Sequence, residues 1–162
     1  LLDETVFCVV SDHGQQDAPD GIPLDAWLRK ACGARAQSLG MGAYIFGEDL
    51  AAARRALEEN QRKWRIGRIY TPEDLRAMHA PEDVQLAVDA APGACFIDDE
   101  TITHGEHGFG LDCPEAQVFF LLAGPGVPAP AELPSMRLID IAPTVARLLG
   151  VSLPGAQGRA LF

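Results

Sequence analysis

Cys8-Val9-Val10-Ser11-Asp12-His13-Gly14, closing an apolar run that begins at Val6, decides how this chain is read. An apolar run without alternation predicts a strand covered on both faces, as in a parallel sheet. Where the run ends, a carboxylate oxygen (Asp12) and an imidazole nitrogen (His13) stand side by side, the donor types of a transition-metal site. Successive strand residues point to opposite faces, so both can reach one ion only if the chain leaves the strand here. Gly14 permits that turn. The competing reading is local, with Asp12 capping the turn and His13 a satisfied loop histidine. A Ser-His-Asp triad from Ser11, Asp12 and His13 is disfavoured, because triads are assembled from separate elements rather than consecutive residues.

A second imidazole lies in Gly105-Glu106-His107-Gly108-Phe109, a glycine-bracketed loop before the apolar strand Gln117–Ala123. Between the two motifs the pattern predicts a helix over 24–32, started by Pro23 and stopped by Gly33, and a strand over 41–46. A longer helix over 48–64 and a strand over 65–70 come next. Thr71-Pro72-Glu73-Asp74 is a helix start, with Thr71 as N-cap and Pro72 at the first position. Strands are predicted over 84–88 and 94–97, and an amphipathic helix over 140–149 ends at Gly150. This alternation points to an α/β fold with a mostly parallel, doubly wound sheet. Residues 41–98 read as a small inserted α/β subdomain, and residues 1–40 with 99–162 as the core. Asp12, His13 and His107 are expected to converge at the C-terminal ends of the core strands, where open α/β sheets place their sites.

These residues carry a family resemblance. The chain resembles the C-terminal part of an alkaline-phosphatase-superfamily enzyme, of the nucleotide pyrophosphatase/phosphodiesterase (type I phosphodiesterase) branch. Ser11-Asp12-His13-Gly14 matches that family's metal motif, and Gly105-Glu106-His107-Gly108-Phe109 is similar to its second histidine motif. The match continues through Pro114-Glu115, Phe120, Gly124-Pro125, Leu138-Ile139-Asp140-Ile141-Ala142-Pro143-Thr144 and Leu148-Leu149-Gly150. Ala116 and Ala123 depart from it, and so does the stretch from Gln37 to Glu100. The resemblance implies a phosphoric-ester hydrolase with two divalent metal ions, zinc in the family, and a phosphate ester or nucleotide as substrate. It implies that Asp12 and His13 bind the ion that activates a nucleophile, and that His107 binds the other. The family's nucleophile and remaining ligands precede the first motif, so the resemblance makes this chain a C-terminal fragment with no catalytic nucleophile of its own. A fragment of this kind is expected to be inactive alone and to self-associate through strand surfaces left uncovered. Other readings are a catalytically silent interaction module of the same fold, or a superfamily phosphomutase or sulfatase.

The remaining features limit these readings. A formal net charge of -10 argues against a nucleic-acid duplex as partner, since phosphate-backbone binding needs clustered Lys and Arg. No apolar stretch approaches the roughly 20 residues of a membrane span, so a soluble protein is expected. Cys8, Cys32, Cys95 and Cys113 show no C-x-x-C spacing. Cys8 and Cys95 read as buried small hydrophobes, Cys32 and Cys113 as a possible disulfide; a reducing compartment such as the cytoplasm is favoured over that pairing. His104 and His79 read as loop and surface histidines, and Asp98-Asp99-Glu100 as a solvated acidic turn rather than a metal cluster. Trp27 and Trp64 read as packing residues on helical faces.

Overall fold

The computed structural model describes residues 3–98, 105–128, 132–133 and 135–162. In chain order the elements begin with β1 (Phe7–Val10), β2 (Gln16–Asp17), β3 (Asp20–Ile22), α1 (Leu24–Cys32), β4 (Arg35–Leu39) and β5 (Gly42–Phe46). They continue with α2 (Leu50–Glu59), β6 (Ile66–Tyr70), α3 (Pro72–Ala77), β7 (Ala87–Ala90) and β8 (Ala94–Phe96). The last are β9 (Gly105–Glu106), β10 (Phe120–Ala123) and α4 (Ile141–Leu148), with single 3₁₀ turns at Pro114–Ala116 and Leu138–Asp140. The chain forms two compact units, one of Leu1–Asp12 with Val118–Phe162 and the other of His13–Gln117.

In the unit 13–117 the central feature is a four-stranded antiparallel sheet in the order β4-β5-β7-β6. Ala43, Ile45 and Val88 from its inner strands are buried with Leu24 and Leu28 of α1 and Ala53 and Leu57 of α2. Trp64 and Phe96 complete this core, and Trp27 packs on Trp64 at 5.9 Å between ring centroids. The helices have local causes. α1 ends on Gly33 in the left-handed conformation, and its Arg29 side chain donates to Asp25 one turn earlier at 2.6 Å. α2 starts on Asp49, whose carboxylate accepts from Ala52 N–H at 2.8 Å. It ends at Glu59, short of Trp64, where the regular helix gives way to turns, with Gln61 N–H donating to Glu58, Trp64 N–H to Asn60, Arg65 N–H to Arg62 and Ile66 N–H to Gln61. α3 carries a reciprocal capping box between Thr71 and Asp74.

The α/β fold holds as expected, and within it β3–β8 is the parallel ladder while the other described ladders are antiparallel. β4 escaped the sequence reading because Arg35-Ala36-Gln37-Ser38-Leu39 is an edge strand with polar residues on it. β1 differs from expectation. It pairs antiparallel with β10, and all four of its residues, Cys8 included, are exposed. Phe7 and Val9 are 47% and 48% exposed, as are Leu121 at 55% and Phe119 at 60%. Alternate residues of a strand face opposite ways, so a two-stranded ladder cannot bury both sets by itself. Cys95 is buried as expected, whereas Cys32 and Cys113 are both free thiols. No helix among the described residues is long and apolar enough to cross a membrane.

In the other unit, α4 is tied to the C-terminal segment through Asp140 and Thr144, both buried. The Asp140 carboxylate accepts from the N–H groups of Arg159 (2.9 Å) and Arg137 (3.0 Å) and from the Arg137 guanidinium (3.3 Å). The Thr144 hydroxyl donates to the Asp140 carbonyl and accepts from Leu161 N–H. The Arg159 and Arg137 N–H groups hold the Asp140 carboxyl below its usual range. A depressed folded-state value means stability that is complete above the unfolded value near pH 4 and is lost as pH falls through the folded one. Asp140→Asn is therefore expected to lower stability at pH 7 and to match the parent at the acid end. Urea unfolding at both extremes measures this; an equal gap at both would refute it.

Candidate metal centre

His13 and His107 are brought together by a ladder too short to announce itself in sequence. β2 and β9 pair antiparallel with Gln16 opposite Glu106 and Asp17 opposite Gly105. His13 lies just before β2 and His107 just after β9, so the antiparallel register carries both to the same end. Their rings stack with centroids 4.0 Å apart and planes 15° from parallel. His13 Nδ1 lies 3.0 Å from the Gly14 carbonyl oxygen.

At Gly14 the first motif closely approaches the 3₁₀ turn Pro114–Ala116, downstream of the second motif. A Cβ at this position would overlap the Glu115 carbonyl oxygen, so glycine is required by backbone proximity rather than by an unusual φ. Around that contact Gln16 Nε2 donates to Cys113 Sγ at 3.0 Å, and the Cys113 thiol donates to Glu115 at 2.7 Å. This bond pushes the thiol's pKa up and the Glu115 carboxyl's down. Cys113 is thus a bonded thiol beside the motif, not a partner for Cys32, whose Sγ donates to the Leu28 carbonyl.

The loop that holds His107 leans on the four-stranded sheet. Met41 N–H donates to the His107 carbonyl at 2.7 Å, and Gly110 N–H donates to Asp89 Oδ2 at 2.9 Å. Gly108, at φ +85°, lies against the Leu39 carbonyl. Asp89 was not foreseen, because an acidic residue in the middle of Ala87-Val88-Asp89-Ala90 carries no signal of its partner.

Asp12 is exposed and is the last residue of its unit before His13. His79 stands in the turn after α3 with φ +56°. His104, Asp99, Glu100, Thr101 and Thr103 lie outside the described residues. Among the described residues no three His, Cys, Asp or Glu side chains form a metal-holding cluster. The described donors amount to a stacked pair of imidazoles, with a carboxylate next to one of them in the chain.

Neither a protein-family model nor a curated protein sequence matches the chain. Solved structures do match its fold. Human ectonucleotide pyrophosphatase/phosphodiesterase 5 superposes with a TM-score of 0.76 at 19% identity, over 97% of this chain and 44% of that one. The murine counterpart, an inactive variant in complex with AMP, gives 0.68 at 19% identity, over 94% and 42%. Phosphonoacetate hydrolase from Sinorhizobium meliloti 1021, in complex with phosphonoformate, gives 0.58 at 18% identity, over 77% and 38%. The chain spans less than half the length of each of these structures. At such identities the likeness is one of fold, and it agrees with the resemblance that the motifs carry. The chain therefore has an alkaline-phosphatase-like α/β fold, over the part that corresponds to less than half of these hydrolases.

Proposed function

We propose that this chain is the C-terminal part of a two-metal phosphoric-ester hydrolase of the nucleotide pyrophosphatase/phosphodiesterase kind. In this reading Asp12 and His13 bind one divalent ion and His107 the other. Residues 41–98 are the inserted subdomain, and residues 1–40 with 99–162 belong to the catalytic core.

The observation that carries the reading is the ring stack. An imidazole nitrogen presents its lone pair in the plane of the ring, so two nearly parallel rings 4.0 Å apart cannot both aim at one ion. Each instead serves its own ion, and the ring spacing matches the roughly 3.5–4 Å between the metals of two-metal sites. The donor chemistry also fits, since imidazole with carboxylate suits zinc. When bound, such ions supply the positive charge that phosphoryl transfer needs, which an acidic chain otherwise lacks. His13 and His107 must be neutral to ligate, while Asp12 adds a negative donor beside His13. The AMP complex of the murine structure favours a nucleotide as substrate. The exposed apolar faces of β1 and β10 favour self-association of the isolated chain.

Zinc titration of the purified chain by calorimetry tests this reading. Two binding events are expected, one lost in His13→Ala and the other in His107→Ala. No turnover of a nitrophenyl phosphodiester is expected from the chain alone, because the nucleophile that the family supplies has no match in it. Zinc binding indifferent to both substitutions would leave the silent interaction module as the better account. Zinc-dependent turnover by the chain alone would show that its own Ser or Thr residues had been misjudged.

A further inference from the structure

Asp89 stands where a carboxylate is costly. It lies on β7, which has β5 on one side and β6 on the other, opposite Gly42 and Arg68. Burial pushes its carboxyl above the usual range, and the hydrogen bonds it accepts offset this only in part. Those bonds come from the Tyr70 hydroxyl at 2.6 Å and Gly110 N–H at 2.9 Å, both to Oδ2. Burial and Asp89 together keep the Tyr70 phenol protonated far above the ordinary range, so it stays a donor. Arg68 stacks over the Tyr70 ring at 4.5 Å and reaches Asp112 at 3.5 Å. With Met41 N–H on the His107 carbonyl, the sheet thus grips the loop at residues 107, 110 and 112. β9 itself is only two residues long, too short to orient the loop after it.

We infer that Asp89 is a positioning residue, whose half-buried carboxylate, oriented by Tyr70, pins Gly110 and thereby holds the His107 imidazole against His13. The four-stranded sheet thereby acts as the mount for the second motif. A charge-assisted bond to a backbone N–H suits this task, since it is stronger than a neutral one and leaves the loop's side chains unconstrained. The role in metal binding rests on the reading of His107 as a ligand; the ring contact itself does not.

The test uses the 162-residue chain and its Asp89→Ala, Asp89→Asn and Tyr70→Phe variants. Two quantities are read: nuclear Overhauser contacts between the His13 and His107 rings, and zinc affinity by calorimetry. Amide shifts of β5 and β6 report whether the sheet is intact. Asp89→Ala is expected to abolish the ring contacts and to weaken zinc binding at His107 by about 10–100-fold, the range for residues supporting a ligand. Asp89→Asn, which keeps an acceptor oxygen, is expected to restore most of both. Ring contacts unchanged in Asp89→Ala with an intact sheet would overturn the inference. If Asp89→Ala does not fold, Tyr70→Phe decides, with weakened ring contacts supporting the role and unchanged ones refuting it. Ring contacts that depend on Asp89 in a chain that binds no zinc would sink the metal reading and leave the positioning role standing.

Discussion

Gly14→Ala is expected to cost about 3 kcal/mol or more of stability, the upper range for overpacking a tight contact. The added methyl would meet the Glu115 carbonyl, which is backbone and cannot swing aside as a long side chain would. That carbonyl sits in the 3₁₀ turn Pro114–Ala116, braced by Ala116 N–H on Cys113 (2.9 Å) and Gln117 N–H on Pro114 (3.1 Å). Relief must come from parting the first motif loop from that turn, and the bond from Gln16 to Cys113 goes with it. The substitution should therefore lower the urea midpoint and separate the stacked imidazoles together. An unchanged midpoint with ring contacts intact would show that the approach of the loops is looser than described.

Under the proposed function His107→Ala should do the opposite, leaving the fold and removing the chemistry. The side chain is exposed, so truncation is expected to change stability by no more than about 0.5 kcal/mol. Under the proposed function, hydrolysis of a nitrophenyl phosphodiester by an enzyme carrying this chain should fall, in the presence of zinc, by at least about 100-fold, since even residues that only support a metal ligand cost that much. His13→Ala should act similarly. The double variant should be little worse than either single one, because residues of one catalytic unit are not additive. A kcat/KM within a few-fold of the parent for both single variants would remove these histidines from the mechanism. Near-multiplicative losses would mean that the two rings serve independent functions.

What the sequence showed, and what it hid, divides along the range of the interactions. α1 and α3 were legible almost to the residue, because Gly33, Thr71, Pro72 and Asp74 act within one turn of where they stand. The two histidine motifs were legible because glycines flank them in the same segment. The pairing that unites them was not, since two residues in each of β2 and β9 carry no periodicity. Asp89 was missed for the same reason: its partners Tyr70 and Gly110 are distant in the chain. β1 misled because Val6 to Val10 reports apolarity, and apolarity cannot say which layer, if any, covers it.

The separation between β1 and β10 bears on the order of folding. β4 and β5 are joined by Gly40 and Met41 alone, and their ladder can close before much chain entropy is lost. Phe7 meets Ala123 only after everything between them has been gathered, so this ladder has the longest closure of those described. Non-local pairings of that kind form slowly. During that interval two strands rich in Val, Phe and Leu wait with open edges. Aggregation during refolding should therefore begin at β1 and β10 while the sheet of β4, β5, β6 and β7 is already in place.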